Sequence, residues 1–368
     1  MGFARTAIEG RVVTARASPT LELANNVAAA RARGEEAWSL STPSFPDFSA
    51  AFQPDPSWTK LTPAEGLPDL RAAAQSQFFE HWTLPDHSCL ITAGAKAGLF
   101  SALRSALAPG ARVIVPTPTW PSYSDLCDAA HLTPVFFPTS AETGFTLDLG
   151  KLEALIASEN PGAILLSNPC NPTGRILSGN SLEKLLHLCD KHSTLLMLDQ
   201  SFSNVVSDQT VWRNSRAPAS GNLILFDSFS KNHLLQGARV AAAMIPERLA
   251  GDFVATHQTI VSAAPTPGQK MALAALSGEN PPSLDRQRAM ARDFITTMGW
   301  SHTPQEGTFY FFPRVPDIQA FEAFARQKNV YVLTGDAFGA GFEDHLRLCF
   351  GKSEDELAKV FDLLRKAS

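Results

Sequence analysis

No stretch of this 368-residue chain is long and apolar enough to span a bilayer. The arginines near its N-terminus are not followed by the apolar core of a secretory signal. Excess positive charge is missing as well. With 31 Lys and Arg against 36 Asp and Glu the net charge is −5, so there is no electrostatic case for nucleic acid or an anionic membrane. Cysteine is sparse. Cys89, Cys127, Cys170, Cys189 and Cys349 are scattered, form no C-x-x-C pair and are odd in number. That argues against a zinc site or a disulfide framework and fits the reducing cytoplasm. No G-x-G-x-x-G follows any expected strand, which removes the nicotinamide-dinucleotide reading of an α/β chain. There is no internal repeat and no low-complexity segment. Met1–Thr6 matches the loose N-myristoylation pattern, but a second anchoring signal is missing and a chance match is expected.

What is present is an ordinary globular composition, 44% hydrophobic and 18% charged, on a chain long enough for two domains. Leu21 to Arg33 reads as a helix closed by Gly34, followed by turns at Pro43, Pro46, Pro54 and Pro56. Asp69 to His81 reads as a second helix. Short apolar strands then alternate with amphipathic helices. The strands are expected at 89–92, 112–115, 133–137, 163–166, 194–198, 223–226 and 240–244, with helices such as 148–158 and 182–192 between them. This alternation predicts an α/β domain around a mostly parallel, seven-stranded sheet. After about Ala264 the pattern changes. Helices at 268–276, 284–297 and 318–327, strands at 308–312 and 345–350, and a final helix at 354–366 predict a smaller α+β domain. The expected division is an N-terminal segment 1–45 joining the small domain, a large domain 46–264 and a small domain 265–368.

In a parallel sheet, ligands gather outside the carboxyl ends of the strands. Four expected strands run there into chemistry-bearing residues. One ends in Asp199, and one in Asn168-Pro-Cys-Asn-Pro-Thr-Gly174. One runs through Asp227 and Ser228 to Ser230 and Lys231, with Arg239 eight positions on, and one leads to Gly94-Ala95-Lys96 at a helix start. A lysine in a dry site loses its proton readily and can attack a carbonyl to form a Schiff base. Serines, an arginine and free helix N–H groups cradle phosphate. A lysine imine beside a phosphate site suggests pyridoxal 5'-phosphate. For that cofactor a buried carboxylate, Asp199, would keep the ring nitrogen protonated. Asn171 would donate to the phenolic oxygen and Trp120 would offer a flat face to the ring. Each segment also has an ordinary use, as helix cap, turn or core packing. Such uses do not explain all of them at successive strand ends.

The chain resembles the class I/II aminotransferases, the fold-type I pyridoxal-phosphate enzymes, over essentially its full length. Asn168–Gly174 resembles their Asn-Pro-x-Asn-Pro-Thr-Gly motif, and Ser228-Phe-Ser-Lys231 with Gly237 and Arg239 resembles their Ser-x-Ser-Lys…Gly-x-Arg motif. The resemblance implies Lys231 as the Schiff-base lysine and proton shuttle. It implies Asp199, Asn171 and Trp120 around the ring, and Ala95, Lys96, Ser228, Ser230 and Arg239 around the phosphate. It also implies Arg347 as the clamp for the substrate α-carboxylate, with Asn171 beside it. Strand alternation agrees, since Leu346, Leu348 and Phe350 share one face and Arg347 points the other way. Tyr123 and the residues near Ser41-Thr42 are candidates, by position, for the substrate's distal group. His233 is read as structural.

Three residues depart from the family pattern. Phe202 stands where a tyrosine usually donates to the phenolic oxygen, Leu61 where a tyrosine usually reaches the partner subunit's phosphate, and Ala241 where a glycine is usual. The expected function is an aminotransferase, acting as a homodimer on an amino acid and a 2-keto acid, without a metal. The alternative is a decarboxylase, lyase, cyclase or oxidase on the same scaffold, since phenylalanine at position 202 also occurs in relatives that are not transaminases. A sensor domain of a transcription regulator is disfavoured, because the fold is expected to begin almost at the first residue.

Overall fold

The protein's structure, a computed structural model, describes residues 18–45, 55–214, 220–278, 281 and 283–365. The Met1–Thr6 pattern, Pro46 and Pro54 lie outside them. Seven strands form the main sheet: β1 (His87–Thr92), β2 (Arg112–Thr117), β3 (Thr133–Pro138), β4 (Ala163–Ser167), β5 (Leu195–Asp199), β6 (Leu223–Ser228) and β7 (Ala241–Pro246). Their spatial order is β1-β7-β6-β5-β4-β2-β3. The central strands read as unbroken apolar runs because both faces are covered. Ala163–Ser167 and Leu195–Asp199 are buried at every residue. Leu196, Leu198, Leu223 and Leu225 pack into a cluster on one face, and Met197, Ile224 and Phe226 into a second cluster on the other.

The sheet is parallel except for β7, which is antiparallel to both of its neighbours. The chain between β6 and β7 explains this. It returns directly through the turn that carries Lys231 and Arg239, and a parallel crossover would need a longer excursion. The crossover helices obey the 3.6-residue period. Helix Gly179–Lys191 starts at Ser178, whose side chain accepts from Ser181 N–H, and buries Leu182, Leu185, Leu186 and Cys189 along one stripe.

A third apolar cluster joins the C-terminal elements. Leu346–Cys349 pairs antiparallel with Leu333–Thr334 and with Tyr310–Phe311. Helices Asp285–Thr297, Ile318–Gln327 and Glu354–Leu364 pack around these strands. The described N-terminal residues around Trp38–Leu40 pair with these elements. Trp38–Ser39 pairs with Val330–Tyr331, and Cys349 N–H donates to the Leu40 carbonyl.

Some boundaries differ from the sequence expectation. The helix expected over 69–81 ends at Phe78. Phe78, Phe79 and Trp82 are all buried there, and consecutive aromatics cannot share one helix face, so the chain turns to seat them. The strand expected over 308–312 shrinks to Tyr310–Phe311, because Thr308 adopts a left-handed φ of 65°. Helix Thr266–Ser277 extends two residues before and one after the expected 268–276 and buries Ala272 and Leu276 in a cluster with residues of the main sheet.

Candidate active site

The carboxyl ends of β1, β2, β4, β5 and β6 open onto one cavity of about 580 Å³. Its lining includes Ala95, Lys96, Trp120, Tyr123, Asn171, Asp199, Ser228, Ser230, Lys231, Arg239 and Arg347. Every site residue expected from the sequence is therefore brought to one place, although they span more than two thirds of the chain.

Lys231 lies on the short helix Phe229–Asn232, which follows β6 directly. Burial lowers its amine pKa to about 8, and the positive charges of Arg347 and Arg239 push the same way. Its ammonium nitrogen stands 5.8 Å from the centre of the Phe309 ring. A lysine in this state is a usable nucleophile and base near neutral pH.

Asp199 closes β5 and is buried. Burial raises its pKa, while hydrogen bonds from Ser201 and Tyr123 pull the other way. Tyr123 Oη donates to Asp199 Oδ2 at 2.9 Å, and Ser201 N–H and Oγ–H both donate to Oδ1. Tyr123 is fully buried and its hydroxyl is engaged with Asp199. Burial raises the tyrosine's own pKa well above the usual range, so it stays a donor. Trp120 meets Tyr123 edge-on at 5.5 Å, and Lys96 Nζ lies 4.8 Å from the Trp120 ring centre while donating to Ser122 Oγ.

The phosphate-like corner is built from backbone. Helix Ala95–Ala106 begins after Gly94, whose φ is 82°, so its first N–H groups face the cavity without partners inside the helix. A Cβ on Gly94 would fall 2.5 Å from Arg239 Nη2, so only glycine lets the guanidinium sit against this helix end. Arg239 has a left-handed φ of 55° and donates to the Gln236 carbonyl. Ser228 Oγ accepts from Ser230 N–H, which leaves its own proton available to a ligand.

Arg347 is 1% exposed, and its hydrogen-bond partners among the described residues are all neutral. Its Nη1 donates to Asn171 Oδ1 at 3.1 Å, and its Nη2 to the carbonyl and Oγ of Ser41 and to Thr20 Oγ1. Its Nε is buried without a partner. The guanidinium lies 4.3 Å from the Tyr310 ring centre and 5.0 Å from that of Phe338. A buried cation held only by neutral groups is unbalanced until an anion binds, and a planar fork suits a carboxylate.

These residues fit a cofactor with an aldehyde, a basic ring nitrogen and a phosphate. A deprotonatable amine, a buried carboxyl, and a helix end with an arginine and a serine face the same cavity. Sequence reasoning does not pick out Ser201, Thr20, Tyr310 or Phe338. Ser201 carries a signal, since a serine two residues after an aspartate makes a local turn that holds the carboxyl. The other three reach Arg347 by packing across distant elements, which no local pattern announces. Phe202 is buried at the cavity wall against Phe309 and Tyr310. Leu61 is 79% exposed, and Ala241 sits without exposure in β7.

Comparison with known proteins gives the same direction. A family model described as aminotransferase class I and II matches residues 36–364. The chain is 28% identical to a probable aspartate/prephenate aminotransferase of Aquifex aeolicus, over 99% of each chain. It is 28% identical to an asparagine–oxo-acid transaminase of Streptococcus mutans, over 94% of this chain and 95% of that one. Among solved structures, an aspartate aminotransferase of Thermotoga maritima superposes with a TM-score of 0.83 at 26% identity, covering 96% of this chain and 97% of the other.

Proposed function

The chain belongs to the aminotransferase class I and II family, and from that premise we propose that it holds pyridoxal 5'-phosphate on Lys231 and takes its amino acid by the α-carboxylate on Arg347. The enzyme moves an amino group between an amino acid and a 2-keto acid. Its family uses pyridoxal phosphate. The observation that supports this assignment most is a lysine with a pKa near 8 sharing one cavity with a buried arginine whose hydrogen-bond partners among the described residues are all neutral.

Bound there, the cofactor supplies an electron sink next to the substrate Cα. Asp199, steadied by Tyr123 and Ser201, holds the proton at the ring nitrogen. Asn171 serves the phenolic oxygen and also steadies Arg347. Ala95, Lys96, Ser228, Ser230 and Arg239 line the cavity where they would hold the phosphate, and Trp120 would offer its face to the ring. Arg347 grips the carboxylate and so orients the Cα–H bond toward the lysine. Lys231 Nζ, neutral at mildly alkaline pH, takes that proton and later returns it.

The working form is a cytoplasmic homodimer. Five free cysteines support the compartment, and the exposed Leu61 supports an apolar subunit contact. Among the described residues no helix is long and apolar enough to cross a membrane. A large and a small domain are supported by the separate apolar clusters around the main sheet and the C-terminal strands. The packing of Thr266–Ser277 favours a division after this helix over one at residue 265.

The test is a half-reaction. The cofactor-loaded protein should lose its yellow absorbance with an amino donor and regain it with a 2-keto acid. Borohydride should fix the cofactor on Lys231. Lys231→Ala should lower turnover by at least about 10²–10⁴-fold, the usual worth of one acid–base group. Release of carbon dioxide, ammonia or peroxide without a keto-acid acceptor, or an adduct elsewhere, would overturn the proposal.

A further inference from the structure

The helix that carries Lys231 is four residues long, too short to hold its own shape. Its last residue, Asn232, is 1% exposed and uses its amide fully within the protein. Asn232 Oδ1 accepts from Asn204 N–H at 3.0 Å. Asn232 Nδ2 donates to Ser203 Oγ at 2.9 Å and to Asp227 Oδ1. Asp227, at the end of β6, has no exposure, and its Oδ1 also accepts from Ser228 N–H at 2.7 Å. One side chain thus ties together the end of β6, the Lys231 turn and the loop after β5. That loop is the one that carries Ser201, which holds Asp199, and Phe202, which lines the cavity.

We propose that Asn232, anchored on Asp227, is a positioning residue that sets Lys231 relative to Asp199. This rests on the assignment of Lys231 as the reactive lysine. The chemistry needs both groups in register, one at the end of β5 and one past the end of β6, and the strands alone fix neither the turn nor the loop. Asn232 makes the only side-chain link between that turn and that loop among the hydrogen bonds of the described residues.

Asp227 serves as a neutral anchor. Its Oδ2 is buried without a hydrogen-bond partner, and the groups among the described residues that act on the carboxyl are Ser203, Ser228, Asn232 and Asp199, with no Lys, Arg or His. The partner of Asp227 in register on β7 is Ala242, an uncharged and fully buried residue. Burial pushes the Asp227 carboxyl well above the usual range and outweighs the hydrogen bonds from Ser203, Ser228 and Asn232, while the nearby charge of Asp199 pushes the same way as burial. A proton on Oδ2 leaves Oδ1 free to accept from Asn232 and Ser228. An amide presents the same acceptor, so Asp227→Asn preserves the anchor, while Asp227→Ala removes it.

The test compares Asn232→Ala, Asp227→Ala and Asp227→Asn with the parent, all checked for folding by thermal melts. A reacting group displaced by 1 Å costs about 10²-fold, so Asn232→Ala should lose about 10–100-fold in kcat while KM for the amino donor, set by Arg347, stays within about twofold. Asp227→Ala should fall likewise, and Asp227→Asn should recover to within about threefold of the parent. A second readout needs no turnover. The apoenzyme is labelled with pyridoxal phosphate and borohydride across pH, and the adduct on Lys231 is quantified by peptide mapping. The parent should label with a midpoint near pH 8, set by burial beside Arg347, Arg239 and Cys349. In Asn232→Ala, as the turn opens to water, the midpoint should move toward that of an ordinary lysine. Parent-like kcat and midpoint in Asn232→Ala, or Asp227→Asn as damaged as Asp227→Ala, would overturn the clamp. An unlabelled Lys231 in the parent would instead overturn the assignment on which it rests.

Discussion

Position 202 is where one side chain is expected to tune the proposed site. Its aromatic ring packs 5.2 Å from Phe309 and lacks the hydroxyl that the family pattern implies at this place. One donor fewer leaves the cofactor's phenolic oxygen more basic, so the neighbouring nitrogen holds its proton more tightly. Installing the donor by Phe202→Tyr should therefore lower the pH at which the loaded enzyme loses its yellow absorbance. A hydrogen bond to a charged group is worth about 1.5–3 kcal/mol, so the shift should be about one unit or more. A spectrophotometric titration of both proteins checks this, and a higher or equal midpoint in Phe202→Tyr would contradict it. Tyr123 belongs to the same scale. Its place in the chain puts it near the site, and its buried hydroxyl bond to Asp199 gives it a use other than contact with the substrate's distal group.

Among elements, the helix Ala95–Ala106 shows most plainly what a single local choice secures. Its amino end faces the cavity because Gly94 takes a left-handed φ and because Arg239 fills the space a Cβ would need. Gly94→Ala forces both a strained backbone and a displaced guanidinium. A strained φ costs about 1–3 kcal/mol, so cofactor affinity should drop by about 10–100-fold. Dialysis or titration with pyridoxal phosphate would measure this. An unchanged affinity would show that the glycine is dispensable. The elements themselves are largely legible in the sequence. The strands of the main sheet lie within a residue or two of the expected runs, because continuous apolar stretches mark buried parallel strands. The short strands Trp38–Ser39, Val330–Tyr331 and Leu333–Thr334 are not legible, since two residues carry no periodicity.

For the molecule as a whole, the proposed homodimer predicts a mass in solution twice the 39.7 kDa of one chain. Leu61, 79% exposed, is the residue to challenge it. A charge there, as in Leu61→Asp, should shift the protein toward the monomer in light scattering. A monomeric parent would rule out the assembly. At this scale the order of the strands and the direction of β7 come from the fold, while the identity of the chemistry does not. Lys231, Asp199, Asn171 and Arg347 stand out in the sequence by itself, because strand ends and short motifs are local features of the chain. Their gathering into one cavity, the pairing of Tyr123 and Ser201 with Asp199, the aromatic and hydroxyl cage of Arg347 and the Asn232 clamp do not. Those contacts join residues far apart in the chain, and their energies exist only once burial has brought the partners together and removed the water between them.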